Sequence, residues 1–288
     1  MINNTADFTT ESVAALARAD VARALQEDIA SGDLTASLID PAKRTTARIL
    51  AREEAVICGS AWVEEAIRNL DPSANIRWYV SEGQRCEADQ TVVRIEGLAS
   101  KLLSAERTAL NFLQMMSAVA SKTAQYVEMV KGTKAHIVDT RKTLPGLRMA
   151  QKYAVYCGGG TNHRIGLYDA VLIKENHIAA AGSIAGVLAR AKALSPQAKF
   201  IEIEVENLVQ LTEALDAGAK MILLDNMSIP MLHKAVALNK GKAVLEISGG
   251  VSMKNLRELA ETGVDRISIG TLTKDIKAID FSMRFEAI

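Results

Sequence analysis

The chain has 288 residues, 49% hydrophobic and 24% charged, a composition that excludes disordered, collagen-like and coiled-coil chains and leaves about two domains or one large α/β unit. Thirty-four basic side chains balance thirty-four acidic ones, so no global field draws in nucleic acid or an anionic membrane, and any anion site has to be a local cluster. Three scattered cysteines, Cys58, Cys86 and Cys157, form no CxxC pair, which argues against a disulfide framework or structural zinc and leads us to expect a reducing, cytoplasmic setting.

The first residues, 1–16, lack a basic start followed by an apolar stretch, and no run of about 18 apolar residues occurs, so neither export nor membrane spanning is expected. From Asp20 to about Val93 the texture is mixed: a helical opening, the turn-like Ser31-Gly32-Asp33, and short strand candidates at 46–50 and 75–80. A long helical stretch begins at Ser104, with Leu103, Leu110, Leu113 and Met116 on one side at 3.6-residue periodicity. Arg107 lies at the edge of that stripe and needs an anionic partner, whether a nearby carboxylate, a second subunit or a ligand.

From Ala135 the pattern becomes regular. Strand candidates recur at 135–140, 169–174, 199–205, 220–224, 243–247 and 266–269, and amphipathic helical segments at 184–194, 208–217, 230–238 and 256–261 separate the later ones. This alternation predicts a parallel sheet with right-handed crossovers, open or closed into a barrel. Nearly every candidate runs straight into polar chemistry: Asp139-Thr140-Arg141-Lys142, Lys174-Glu175-Asn176-His177, Glu204-Val205-Glu206-Asn207, Asp225-Asn226, Ser248-Gly249-Gly250 and Gly270-Thr271. A (β/α) barrel gathers such residues on one face. Six strand candidates, seven if one is missed, fall short of a closed eight-stranded barrel.

Arg141, Lys142, His163, Arg164 and Lys174 then form an anion-binding constellation. Singly, each reads as ordinary solvated surface; jointly, two guanidinium forks and mobile lysine charges suit a dianionic aromatic acid. Ser248-Gly249-Gly250 and Ser268-Ile269-Gly270-Thr271 follow the last two strand candidates, where backbone N–H groups can close on a phosphate; turn glycines are the competing reading. Gly158-Gly159-Gly160 reads instead as a helix terminator. Alternation in 201–206 puts Glu202, Glu204 and Glu206 on one strand face, where they need cations, metal or hydroxyl donors, or make an internal salt-bridge network. Asp225 adds a carboxylate suited to ribose hydroxyls or to the water shell of Mg²⁺. His136 and His233 read as structural, while His177 either joins the site or orients its loop.

The run Asp139 to Arg148, with Lys152-Tyr153-Ala154-Val155, Gly159-Gly160-Thr161-Asn162-His163-Arg164, Leu172 to His177, Glu202 to Glu206, Leu224-Asp225-Asn226 and Ser248-Gly249-Gly250, closely resembles the quinolinate phosphoribosyltransferases. Glu27-Asp28-Ile29 with Gly32-Asp33-Leu34-Thr35 is similar to that family's N-terminal signature. The resemblance implies an N-terminal α/β sandwich domain at 1–112, against which 275–288 packs, and an open (β/α) barrel of about seven strands at 113–274 carrying the site. It implies decarboxylating phosphoribosyl transfer in NAD biosynthesis: quinolinate plus 5-phosphoribosyl 1-diphosphate gives nicotinate mononucleotide, CO₂ and diphosphate, with Mg²⁺ arriving on the sugar donor. It further implies a homodimer in which Arg107 reaches the partner's site. Arg141, His163, Arg164 and Lys174 then match the dicarboxylate pocket beside Thr140 and Lys142; Glu204 and Asp225 match the acidic pair near the ribose; Ser248, Gly249, Gly250 and Gly270 match the phosphate cradle. A phosphoribosyltransferase for a monocarboxylate, a Schiff-base lyase acting through Lys174, and an inert metabolite sensor are the competing readings.

Overall fold

The computed structural model describes residues 6–286, so residues 1–5 and 287–288, at the outer ends of the expected domain ranges and of the stretch read for an export signal, lie outside it. Within the described residues the chain divides into two units, an N-terminal one holding 7–124, 144–159 and 274–286 and a barrel one holding 6, 125–143 and 160–273.

The N-terminal unit opens with α1 (Thr10–Asp28), whose first turn is capped by Thr9 Oγ1 accepting from Ser12 N–H. Then come β1 (Arg44–Ala51), β2 (Ala55–Val56), α2 (Ser60–Leu70), β3 (Asn75–Trp78), β4 (Arg85–Cys86), β5 (Thr91–Leu98) and α3 (Ala99–Met129). In β1 alternate residues Thr45, Ala47, Ile49 and Ala51 are buried while Arg44 and Arg48 face out, the period-two signature of a half-buried strand. Trp62, Ile67, Ile95, Leu102 and Leu113 are fully buried in this unit's core. Helix α3 starts before Ser104, with Leu102 rather than Leu103 facing the core, and runs unbroken for 31 residues. The boundary expected at 112/113 and the division at 124/125 both fall inside this helix, which no glycine or proline interrupts.

The barrel unit holds β6 (His136–Val138), then, after α4 (Arg148–Cys157) of the other unit, β7 (Val171–Ile173), β8 (Ile201–Val205), β9 (Met221–Asp225), β10 (Val244–Ser248) and β11 (Arg266–Ser268). These six pair in parallel in the order β6-β11-β10-β9-β8-β7. On the free side of β6 a single parallel bridge, Val138 with Thr161, stands where a seventh strand would be, so the barrel is open. The crossovers carry α5 (Glu175–Ala181), α6 (Ile184–Leu194), α7 (Leu208–Asp216), α8 (Ile229–Asn239) and α9 (Leu256–Glu261), and α10 (Thr271–Lys274) follows β11. Ser183 and Asn207 cap α6 and α7 through their side-chain oxygens, and Pro230 sits in the first turn of α8. Finally β12 (Phe281–Phe285) returns to the N-terminal unit and completes an antiparallel sheet in the order β12-β1-β5-β3. Among the described residues no helix is long and apolar enough to cross a membrane.

Candidate active site

Six parallel strands put their C-terminal ends on one face, and with them most of the barrel residues expected to carry chemistry; His136, at the start of β6, and His233, on α8, are elsewhere. The N-terminal end is plugged by Ala170, Phe200 and Met221, with Val244 packed against them. Above that plug lies a buried ionic layer. His163 Nε2 is 2.8 Å from Glu202 Oε2 and 3.5 Å from Glu246 Oε1, and Glu246 Oε2 accepts from Arg266 Nε at 2.8 Å. The His163 ring stands edge-on to Phe200, with centroids 5.3 Å apart. Burial pushes the Glu202 carboxyl up, reinforced by the Glu246 charge, while His163 and Arg266 oppose the rise.

The loop after β6 is tied down from beneath. Asp139, fully buried, accepts from the His163 backbone N–H and the Asn162 side-chain amide, both at 2.8 Å. Arg164 N–H then donates to His163 Nδ1 at 2.8 Å, which assigns the proton of the neutral ring to Nε2, facing Glu202. Both ring nitrogens thus have partners other than a dicarboxylate, and the matched pocket position of His163 is an interior one. Arg164 is buried, its Nη1 3.4 Å from the Ala170 carbonyl; burial lowers its pKa and the neighbouring Arg141 charge lowers it further. The Glu202 and Asp169 carboxylates act in the opposite sense and favour the charged guanidinium.

Lys174, at the end of β7, pairs with Glu204 on the neighbouring β8 at 2.9 Å, the lysine half-exposed and the glutamate 13% exposed. Glu206 lies past the end of β8 and is exposed, so the three alternating glutamates run from buried floor to solvent. His177 Nδ1 accepts from Lys174 N–H at 2.9 Å, the loop-orienting role. Asp225 is level with Ser248 in the β9–β10 register, and its Oδ2 accepts from the Asn226 amide at 3.0 Å. Gly249 (φ +91°) and Gly250 (φ +62°) turn left-handed here; a Cβ on Gly249 would lie 2.2 Å from Asn226 Oδ1, whereas one on Gly250 would enter open space. On the β11 side a Cβ on Gly270 would lie 2.8 Å from Lys142 Cδ and 3.6 Å from Thr140 Oγ1, and Thr273 Oγ1 donates to the Lys142 carbonyl at 2.8 Å. Gly158 and Gly159 end α4, and Gly158 also lets α3 approach closely, since a Cβ would lie 2.4 Å from the Ala120 carbonyl oxygen.

Thr140, Arg141, Lys142, Arg164, Lys174, Glu204, Asp225, Ser248, Gly249, Gly250 and Gly270 thus all lie at the strand ends of one unit, with His163 beneath them. Arg107 does not join them there: it is exposed on α3, in the N-terminal unit. The sequence reading missed Glu246 and Arg266, and quoted Asp139, Asn162 and Asn226 within motifs without giving them a role. A carboxylate inside the aliphatic run 243–247, in step with Ser248, was the available signal for Glu246.

A family model described as the quinolinate phosphoribosyl transferase C-terminal domain matches residues 119–284, and that of the N-terminal domain matches 33–117. The chain is 41% identical over 277 residues to a nicotinate-nucleotide pyrophosphorylase (carboxylating) of Mycobacterium leprae, covering 93% of this chain and 96% of that one. It is 39% identical over 257 residues to a probable nicotinate-nucleotide pyrophosphorylase (carboxylating) of Bacillus subtilis, covering 89% of each. A nicotinate-nucleotide pyrophosphorylase structure from Francisella tularensis superposes with a TM-score of 0.93 at 43% identity, covering 99% of both chains.

Proposed function

Because the chain belongs to the quinolinate phosphoribosyltransferase family and catalyses that family's reaction, decarboxylating transfer of phosphoribose to quinolinate in NAD biosynthesis, we propose a division of labour among the groups at the barrel mouth. The observation that carries it is the placing of Arg141, Lys142, Lys174 and the left-handed glycine turn at 249–250 at the C-terminal ends of strands of one parallel sheet.

Arg141 and Arg164 grip the two carboxylates of quinolinate, with Lys174 and Thr140 beside them, and His163 holds the Arg164 backbone from below. Ser248, Gly249, Gly250 and Gly270 close around the 5-phosphate; Gly250, with nothing within 4 Å of a built Cβ, supports this by leaving room for it. Glu204 and Asp225 face the ribose, accept from its hydroxyls, and stabilise the positive charge that develops at the anomeric carbon as diphosphate departs. The pyridine nitrogen takes the place of diphosphate and becomes cationic. That charge stabilises the carbanion left by CO₂, and Lys142 returns a proton to it.

Glu204 and Asp225 are hard oxygen donors, and Glu204 is already engaged by Lys174, an arrangement that fits Mg²⁺ carried in on the sugar diphosphate with its own waters better than a dedicated protein cage. When bound, the ion offsets charge on the departing diphosphate. We extend the reading to a homodimer in which Arg107 serves the partner's mouth, supported by its exposure and by exposed Leu167 and Tyr168, 75% and 78% accessible, on the barrel unit. Cytoplasmic residence accords with three free thiols. Incubation with quinolinate, 5-phosphoribosyl 1-diphosphate and Mg²⁺, read by mass spectrometry of the nucleotide and by CO₂ release, tests the assignment. Nicotinate mononucleotide formed at the wild-type rate by an Arg141→Ala variant would overturn the roles given to the mouth.

A further inference from the structure

The outward face of the N-terminal unit's sheet carries one arginine per strand in a single row. Arg284 on β12 stands opposite Arg48 on β1, Arg48 opposite Arg94 on β5, and Arg94 opposite Arg77 on β3. Residues directly opposite in antiparallel strands project from the same face, so the register lines up four guanidinium groups over roughly 14 Å, one per strand spacing. All four are exposed, while Ala47, Ile49 and Ile95 on the other face are fully buried.

Like charges set directly opposite destabilise a sheet, and all three neighbouring pairs in this row are like-charged. Offsetting groups are few. Arg94 Nε reaches Glu96 Oε1 at 3.4 Å, and the Arg77 guanidinium lies 5.3 Å from the Tyr79 ring centre. Among the described residues Arg48 and Arg284 have no carboxylate within ion-pairing distance. A depression of about 320 Å³ opens beside the row, lined by Arg48, Tyr79, Thr91, Arg94 and Glu286. In a chain of zero net charge this row is not a by-product of basic composition.

We propose that the arginine row binds a linear oligophosphate of three or four phosphates, either a free inorganic chain or the tail of a nucleoside triphosphate. Guanidinium forks match phosphate oxygens, and long, flexible arginine stems set in a row can converge on a shorter chain that carries several charges. Tyr79, 48% exposed, walls the depression where a base can stack. Glu96 and Glu286 bound the site on one side, so it accepts a chain laid along the row and not a broad anionic surface. None of these residues belongs to the barrel mouth, so the inference stands apart from the reaction assigned there.

The test is calorimetric titration of the full chain and of Arg48→Gln/Arg284→Gln with inorganic tripolyphosphate. The barrel contributes equally to both proteins, so their difference reports the row. The expected result is a wild-type site weakened at least tenfold in the double variant and by added salt, with orthophosphate giving no difference between the proteins. Tighter binding of a nucleoside triphosphate, lost in Tyr79→Leu, assigns the source to a nucleotide; equal binding assigns it to the inorganic chain. The double variant keeps the turnover of the barrel and melts at a higher temperature without anion, because the opposed charges are gone. Identical isotherms for the two proteins overturn the proposal, as does a difference traced by sedimentation to self-association through this face.

Discussion

His163 stands between two jobs: its Nε2 lies 2.8 Å from Glu202 in the barrel floor, and its Nδ1 accepts the backbone N–H of Arg164 at 2.8 Å in the mouth. One imidazole therefore transmits the geometry of a buried ionic layer to the guanidinium proposed to hold the substrate. Glu246 and Arg266 extend that layer by a 2.8 Å charge-assisted bond, so three strand-borne groups determine, through His163, where one loop residue sits.

The layer carries a pH signature. Burial pulls the His163 pKa down, but Glu246 and Glu202 outweigh it and the net shift is upward. A group whose folded pKa is raised contributes stability that is fully present below its unfolded value, about 6.5, and lost as pH climbs through the folded value. Glu202, raised chiefly by burial, acts in the same sense from a lower starting point. Thermal stability is expected to decline as pH rises above the unfolded histidine value. In Glu246→Gln the ring loses a supporting charge, and its midpoint, followed by nitrogen-15 NMR of the imidazole, should fall. A midpoint that stays or rises would show that Glu246 does not act on His163.

Arg164 is the next test, because lysine keeps its charge and loses its fork. Arg164→Lys should raise KM for quinolinate roughly ten- to hundredfold, the equivalent of losing about 1.5–3 kcal/mol from one hydrogen bond to a charged group. KM for the sugar diphosphate should barely move. Steady-state kinetics with each substrate varied in turn decide it, and a larger effect on the sugar diphosphate would place Arg164 on the wrong reactant.

The barrel was legible because its strands obey local rules: apolar runs of few residues, each ending in polar or glycine-rich chemistry, with helical periodicity between. Strand candidates at 199–205, 220–224, 243–247 and 266–269 all contain or overlap strands of the fold. What stayed hidden is non-local. Arg266 meets Glu246 only through the β10–β11 register, which no local pattern encodes. Likewise β12 pairs with β1 across more than two hundred residues, and β2 and β4 are two residues long, too short for any period to appear. The segment 144–159 follows a barrel strand yet joins the N-terminal unit, where Phe8 packs on Tyr153 and Tyr156, a partnership set by tertiary contact and not by sequence order.

The two glycines after β10 separate folding from binding. Gly249→Ala forces a methyl to within 2.2 Å of Asn226 Oδ1 at a φ of +91°, so it should lower the melting temperature as well as activity, at a backbone cost of about 1–2 kcal/mol before the clash. Gly250→Ala has space around its methyl, so its main effect should be a higher KM for 5-phosphoribosyl 1-diphosphate with a smaller loss of stability. Calorimetric melting and kinetics on both variants check the split. Equal melting losses with unchanged KM for both would remove the phosphate from this turn.

Site sharing makes a quantitative demand on Arg107. In a two-fold dimer whose mouths each need Lys142 from one subunit and Arg107 from the other, Arg107→Ala and Lys142→Ala are each inactive at both sites. Mixed and re-equilibrated, half of the dimers are hybrids, and each hybrid has one site carrying both lesions and one carrying neither. Activity should therefore recover to about a quarter of wild type, the value set by random pairing of equal amounts. The same mixture assayed before subunits exchange should stay inactive, which separates complementation from residual activity of either variant. If Arg107 served its own subunit, every mouth in the hybrid would still carry one lesion, and the exchanged mixture would remain at the level of its parts.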